Sequence, residues 1–477
     1  MKKVLFSPIG NTDPIRECYD GACLHIVRHY QPDEVVLFFT KEMWEREQAN
    51  HCYTRAIAHV APDCPVRCIA SDIVDAHLYD SFIEVLPGYI RELQEDDTEI
   101  LLNLSSGTPQ IKTMMAIVAV EDGLRGIQVV SPNKASNSRS IPVQAGDDVE
   151  AMLANNFDDE PGAENRCQEP PLQVIRYFSE RQRIMSLIKL YEYEAAYELA
   201  RGSASIAKEA KELLHHAALR RKLMTQEARK VCNGVDGFRL FLNVEEIKNR
   251  QLQEKAEHLT EYLVNLVVFQ RKGYLSEFLV KCNNFLFELL EYYVRTYCRK
   301  LNLRQCMEGR IVSRDLLLEK YPALLAELDA CWHGGFRESE LSFGLLCRVI
   351  EYAHANAYYD DKNKAEQVAV LLGDVFENGQ FSRMRNSSAH TISDVTEALF
   401  REMVGAGSGE FLQRVVKLAG IVIHKHVIKL SGVYDIINRA IADRLAVRGM
   451  NRGHEPIVNK ERIVKRYDEY RNAKKEP

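Results

Sequence analysis

Six consecutive residues of this 477-residue chain, Arg385-Asn386-Ser387-Ser388-Ala389-His390, set an arginine and a histidine with four residues between them. Histidine titrates near neutral pH and can exchange protons. Arginine stays charged and forks onto phosphate oxygens. A metal-free phosphodiester cleavage in RNA needs three things: help for the attacking ribose 2′-hydroxyl, a cation on the phosphoryl oxygens, and an acid for the leaving 5′-oxygen. One Arg385–His390 pair supplies about half of such a site, so two copies facing each other would complete it. On an ideal helix, positions five apart diverge by about 140°. The two side chains therefore converge only where the helix is irregular or a capped start intervenes, and Asn386, Ser387 and Ser388 are suitable caps. A pair on a helix surface is the plainer reading of the same residues.

A second kind of chemistry is suggested near the other end of the chain. Gly10-Asn11-Thr12-Asp13-Pro14 follows the apolar run Val4–Ile9. Asn103-Leu104-Ser105-Ser106-Gly107-Thr108-Pro109-Gln110 follows Ile100–Leu104. Gly107 allows close backbone approach, Ser105, Ser106 and Thr108 offer small hydroxyls, and the loop opens a helix whose first amides suit an anion. Lys112 adds a positive charge on the first turn. The candidate ligand residues are thus Gly10, Asn11, Thr12, Asp13, Asn103, Ser105, Ser106, Gly107, Thr108, Gln110 and Lys112. A tight turn with capping hydroxyls is the alternative for the second loop. No G-x-G-x-x-G follows the first run and no G-x-x-x-x-G-K-[ST] occurs, which disfavours a dinucleotide cofactor and a P-loop.

These loops need elements to hold them. Val4–Ile9, Val35–Thr40, Val66–Ala70, Ile100–Leu104 and Ile127–Val130 are nearly continuous apolar runs, as in strands buried on both faces of a parallel sheet. Helix-like segments such as Gln110–Val120 separate them. The alternation predicts an open α/β Rossmann-like domain, with ligands above the carboxyl ends of its strands. Residues from about Gly146 to Pro171 are rich in Asp, Pro and Gly and read as a linker. From Ile175 onward the pattern is helical. Leu275, Phe278, Leu279, Cys282, Phe285, Leu286, Leu289, Leu290 and Tyr293 recur at spacings of three and four. Arg271-Lys272-Gly273 interrupts this region. The expected division is 1–145 for the α/β domain, 146–172 for the linker, 173–272 for a helical insert and 273–477 for a second helical domain. Ile441–Pro477 carries ten Lys or Arg against six Asp or Glu and reads as a solvated tail.

Composition narrows the classes. The formal net charge is −6 and the sequence pI about 6.2, which disfavours a broad nucleic-acid-coating surface but leaves room for a local cleft. Twelve scattered cysteines fit free thiols in a reducing cytoplasm. No Cys or His spacing completes a metal site; His215-His216 and His424-Lys425-His426 read as surface or core residues, and Tyr358-Tyr359-Asp360-Asp361 as a helix end. The apolar run at the start is too short for a signal peptide, and no uncharged run reaches the ~20 residues a membrane span needs. No membrane association is therefore expected.

Taken together, the two loops and the R-N-x-x-A-H hexad resemble the ancillary ribonucleases of type III CRISPR systems, which join a CARF sensor domain to a HEPN nuclease domain. The resemblance spans most of the chain, and Pro171–Lys272 looks like the helical insert between the two domains. It implies a homodimer whose sensor domains share one composite pocket. It implies that Arg385, Asn386 and His390 of both chains form one cleft that cuts single-stranded RNA non-specifically, without a metal or other cofactor, leaving a 2′,3′-cyclic phosphate and a 5′-hydroxyl. The activator would be a cyclic oligoadenylate made by the type III effector complex, with six adenylates favoured over four. Some sensor domains of this kind slowly cut their activator, for which Ser106 and Thr108 would be the candidates. A catalytically silent sensor that recruits another effector is the main alternative. A DNA-binding regulator would need a basic recognition helix, and the helical half offers none.

Overall fold

All five apolar runs are strands in the computed structural model, which describes residues 1–132, 148–243, 247, 249–376 and 395–446. They are β1 (Lys2–Pro8), β4 (Glu34–Phe39), β5 (Val66–Ala70), β6 (Thr98–Asn103) and β7 (Arg125–Val129). Two short strands, β2 (Ile15–Arg16) and β3 (Tyr19–Asp20), form a separate antiparallel hairpin. The main sheet runs β5-β4-β1-β6-β7, all parallel, and β8 (Cys167–Gln168) adds an antiparallel edge beside β7. Alternate residues serve opposite faces, as the period of two requires. Leu5, Leu37, Leu101 and Ile127 pack with Leu24 and Ile26 of α1 (Ala22–Tyr30) and Tyr53 of α3 (Cys52–Val60); α2 (Lys41–Asn50) lies between these helices in the chain. Val4, Phe6, Val36, Phe38, Ile100 and Leu102 pack with Leu86 and Ile90 of α4 (Val85–Arg91) and Ile111 and Met115 of α5 (Pro109–Glu121). The N-terminal domain is thus the expected Rossmann-like α/β fold.

The expected linker differs from what is found. Within 146–172, Asp148 caps α6 (Val149–Ala154) by accepting from the amides of Glu150 (3.0 Å) and Ala151 (3.3 Å), and Val149 and Leu153 enter the core. Asp158 and Arg166 are buried and ion-paired at 2.5 Å, and Cys167 pairs with Val129 of β7. The segment is held by buried charges more than by apolar periodicity, so its composition mimics a linker. The first compact unit accordingly runs from Met1 to Glu180 and the second from Arg181 to Pro477.

The second unit is mostly helical, with short strands at Gly234–Val235, Phe238–Arg239, Met307–Glu308, Ile311–Val312 and Ser339–Glu340. The chain passes through α7 (Gln173–Lys189), within which the division falls, then α8 (Tyr193–Gly202), α9 (Lys208–Arg221), α10 (Thr225–Val231), α11 (Arg250–Arg271) and α12 (Leu275–Tyr297). It continues through α13 (Arg314–Lys320), α14 (Pro322–Cys331), α15 (Phe343–Ala355), α16 (Lys362–Phe376), α17 (Glu397–Val404), α18 (Ser408–Val422), α19 (His426–Leu430) and α20 (Val433–Arg444). Gly273, at φ +73°, is the turn between α11 and α12, whose Tyr262 and Phe285 rings stack at 6.4 Å. The break expected at Gly273 thus falls inside one packed helical hairpin. Ile441, expected to open the tail, is buried on α20; residues 447–477 lie outside the described residues. His216 is a core residue, and His215 and His426 stack on Tyr197 and Phe238. Asp360 pairs with Arg299, and Asp361 accepts from the Lys364 amide at the start of α16.

Candidate functional site

The two candidate loops meet above the carboxyl ends of β1 and β6. A Cβ on Gly10 would lie 2.5 Å from the Gly107 nitrogen, so the backbones touch where only glycine fits. Gly107 itself sits at φ +88°. Buried Asp13 accepts hydrogen bonds from the Gly10 and Cys23 amides and the Ser106 hydroxyl, each 3.1 Å long. Burial pushes its carboxyl above the usual range, against the opposing pull of those bonds. Asn103 donates to Ser7 Oγ (2.9 Å) and Ser106 Oγ (2.8 Å) and accepts from the Ser105 amide (2.8 Å). Asp13, Asn103 and Ser106 therefore brace one loop against the other. Thr108 caps α5, accepting from the Ile111 amide and donating to the Ala76 carbonyl at 2.8 Å. Asn11 accepts from Arg46 at 2.8 Å. Gln110 Oε1 is buried without a partner among the described residues.

Beside this junction lies a cavity of about 300 Å³. Of the candidate residues, Thr12, Ser105 and Lys112 line it; Gly10, Asn11, Asp13, Asn103, Ser106, Gly107, Thr108 and Gln110 do not. Ser105 Oγ accepts from the Val129 amide at 2.9 Å, fixing the loop to β7. Burial lowers the Lys112 amine, and the Asp13 carboxylate opposes that shift. Other lining residues had no expected role: Arg16, Glu17 and Tyr19 from the β2–β3 hairpin, Gln128 from β7, and Arg166 from the segment taken for a linker. Arg16, two residues past Pro14, was within reach of a wider reading of the first loop. Nothing in the sequence marks Arg166. The wall thus combines the cations Arg16, Lys112 and Arg166 with hydroxyls, an amide, an aromatic face and the carboxylates of Glu17 and Asp20; the cations outnumber the carboxylates, which suits a phosphate-bearing ligand with bases.

Arg385, Asn386 and His390 lie outside the described residues. The helix that follows them is held firmly. α16 ends at Phe376, and Thr396 caps α17 by accepting from the Leu399 amide at 3.2 Å. Phe400 of α17 is fully buried between Phe278 of α12 (6.2 Å) and Phe411 of α18 (5.7 Å).

Comparison with known proteins covers both units. The Cas_Csm6 CARF domain matches residues 65–167, the CRISPR-associated protein Csm6 6H domain 170–221, and the Cas_Csm6 HEPN domain 243–442. The CRISPR system endoribonuclease Csm6 of Enterococcus italicus is 32% identical over 308 residues, covering 62% of this chain and 67% of that protein. That of Mycobacterium tuberculosis is 38% identical over 207 residues, covering 42% and 49%. That of Streptococcus thermophilus is 25% identical over 416 residues, covering 83% and 90%. Among solved structures, Enterococcus italicus Csm6 bound to cyclic hexa-2′-fluoro-hexa-dAMP aligns with a TM-score of 0.61 at 24% identity, over 93% of this chain and all of that one.

Proposed function

The chain belongs to the Csm6 family of CRISPR endoribonucleases, with CARF, 6H and HEPN domains in that order, and from that premise we propose that it is a homodimeric, metal-independent ribonuclease switched on by a cyclic oligoadenylate. The observation that carries this reading is the cavity at the loop junction, where Lys112, Thr12 and Ser105 converge above the parallel sheet. A ring with a two-fold axis can contact the same loops of two subunits. Six adenylates are favoured, since the Enterococcus italicus relative is bound to a cyclic hexanucleotide. The sensor is assigned to the first compact unit and the nuclease to the second. The ring would come from the type III effector complex.

At the nuclease site, Arg385 holds the non-bridging oxygens of the scissile phosphate while charge builds on them. His390 exchanges the proton that leaves the 2′-hydroxyl or reaches the 5′-oxygen. Asn386 orients the phosphate or ribose by hydrogen bonding. The products are a 2′,3′-cyclic phosphate and a 5′-hydroxyl, and single-stranded RNA is cut without base preference. Ser106 is a poor candidate for cutting the activator, being buried and bonded to Asp13 and Asn103; Thr108 is committed to its cap and to Ala76.

Activation follows if the ring binds one dimer arrangement better than the other. Moving from 1% to 99% active takes about 5.5 kcal/mol of preference. The test separates the two tasks. Arg385→Ala and His390→Ala should each lower activator-dependent RNA cleavage at least ~100-fold while leaving cyclic hexa-adenylate binding unchanged. Loss of ring binding in these variants would contradict the division of labour, and full cleavage would remove the nuclease assignment.

A further inference from the structure

The β2–β3 hairpin walls the cavity with Arg16, Glu17 and Tyr19, yet it has only two residues in each strand. A ribbon that short is not self-supporting. Its turn residues Glu17 and Cys18 both lie at positive φ, 51° and 63°, which lets the reversal match the strand twist but adds no anchor.

One anchor is Arg28 of α1, which donates to the Asp20 carboxylate at 2.8 and 3.2 Å; the others come from residues 156–166. Asp158 Oδ2 accepts from the Asp20 amide at 2.7 Å, and Asn156 donates to the Asp20 carboxylate at 2.7 Å. The Phe157 amide donates to the Cys18 carbonyl at 2.8 Å, and the Phe157 ring lies 5.3 Å from that of Tyr19. Arg166 donates to the Asp20 carbonyl at 3.4 Å, and its guanidinium lies 5.9 Å from the Tyr19 ring centre. Arg166 is itself fixed by Asp158 (2.5 Å) and the Val130 carbonyl (3.0 Å).

Asp20, His25 and Asp158 could be taken for a metal site, since their ligand atoms lie within 4.8 Å of one another. The hydrogen bonds argue otherwise. The Arg166 backbone N–H donates to His25 Nε2 at 3.0 Å, and His25 Nδ1 faces both Asp20 Oδ2 at 3.3 Å and the Arg166 guanidinium at 3.2 Å. Asp158 Oδ2 already takes two donors, and Arg28 takes Asp20. Guanidinium groups occupy the place a cation would have.

We infer that Asp158 and Arg166, with Phe157, are positioning residues of the activator site: they hold the β2–β3 hairpin in the shape that the ring binds. The inference rests on the activator reading of the cavity. A loose hairpin would have to be ordered during binding, which weakens affinity without touching the nuclease chemistry.

The test is a titration of full-length protein with cyclic hexa-adenylate, read by cleavage of a fluorogenic single-stranded RNA. Asp158→Asn should raise the half-maximal ring concentration at least ~10-fold and leave the saturated rate within about twofold. Phe157→Ala should raise it about threefold; with Phe157 51% exposed, this variant folds even if Asp158→Asn does not, and then decides alone. If the wild-type chain is activated but the variants keep its half-maximal concentration, the inference is wrong and the activator reading stands. A lowered saturated rate at an unchanged half-maximal concentration would also overturn it. A wild-type chain that the ring never activates would overturn the activator reading, and this inference with it.

Discussion

A side chain's type says what it can do and not what it is already doing. Asp13, Asn103 and Ser106 have the chemistry of ligand contacts, and their hydrogen bonds go to each other, to the Ser7 hydroxyl and to the backbone. Lys112 lines the cavity. Lys112→Met should weaken cyclic hexa-adenylate binding about tenfold and flatten its salt dependence, as calorimetry at two ionic strengths would report. Unchanged binding would place the phosphates elsewhere. Arg220 shows the same ambiguity in the helical unit, where nothing in the sequence marked it. It is fully buried, pairs with Glu261 at 2.7 Å, and shares the Phe241 ring with Arg229 at 4.7 and 4.6 Å. Arg220→Met strands a buried carboxylate and should cost about 3–5 kcal/mol in urea unfolding; adding Glu261→Leu should recover most of that loss.

At the scale of elements, the strands were legible because burial on both faces demands continuous apolar runs, and α5 and α12 because their apolar spacing follows the helical turn. The segment from Asp148 to Gln168 was not, since an ion pair between residues eight apart leaves no periodicity. Neither was the α11–α12 hairpin, whose Gly273 turn has the same composition as a domain break. The contact between the two loops allows a sharp prediction. Gly10→Ala would push a methyl group into the Gly107 backbone, and should cost about 2–4 kcal/mol of sensor stability together with ring binding. The α9–α10 packing carries a pH signature. Burial holds His216 to about 4, with its Nδ1 directed at the Ala228 carbonyl. The unfolded chain binds that proton near pH 6.5, so between these values unfolding takes up a proton. The contribution, about 3 kcal/mol, is complete above pH 6.5 and is lost as pH falls through 4. Urea midpoints measured from pH 7 to 4 should fall accordingly, and His216→Gln should flatten the slope.

For the whole molecule, the order of a sensor, a helical insert and a nuclease was legible from two loops and one hexad, because the combination is far more specific than any part. Among the described residues no helix is long and apolar enough to cross a membrane. If each chain supplies half a nuclease site, as proposed, activity should scale with dimer, not monomer, concentration. The most direct measurement is cleavage of labelled single-stranded RNA in EDTA, with and without cyclic hexa-adenylate. Rapid cutting only when the ring is present, giving 2′,3′-cyclic phosphate ends, is the predicted result. Cutting that ignores the ring, or that EDTA abolishes, would contradict the account.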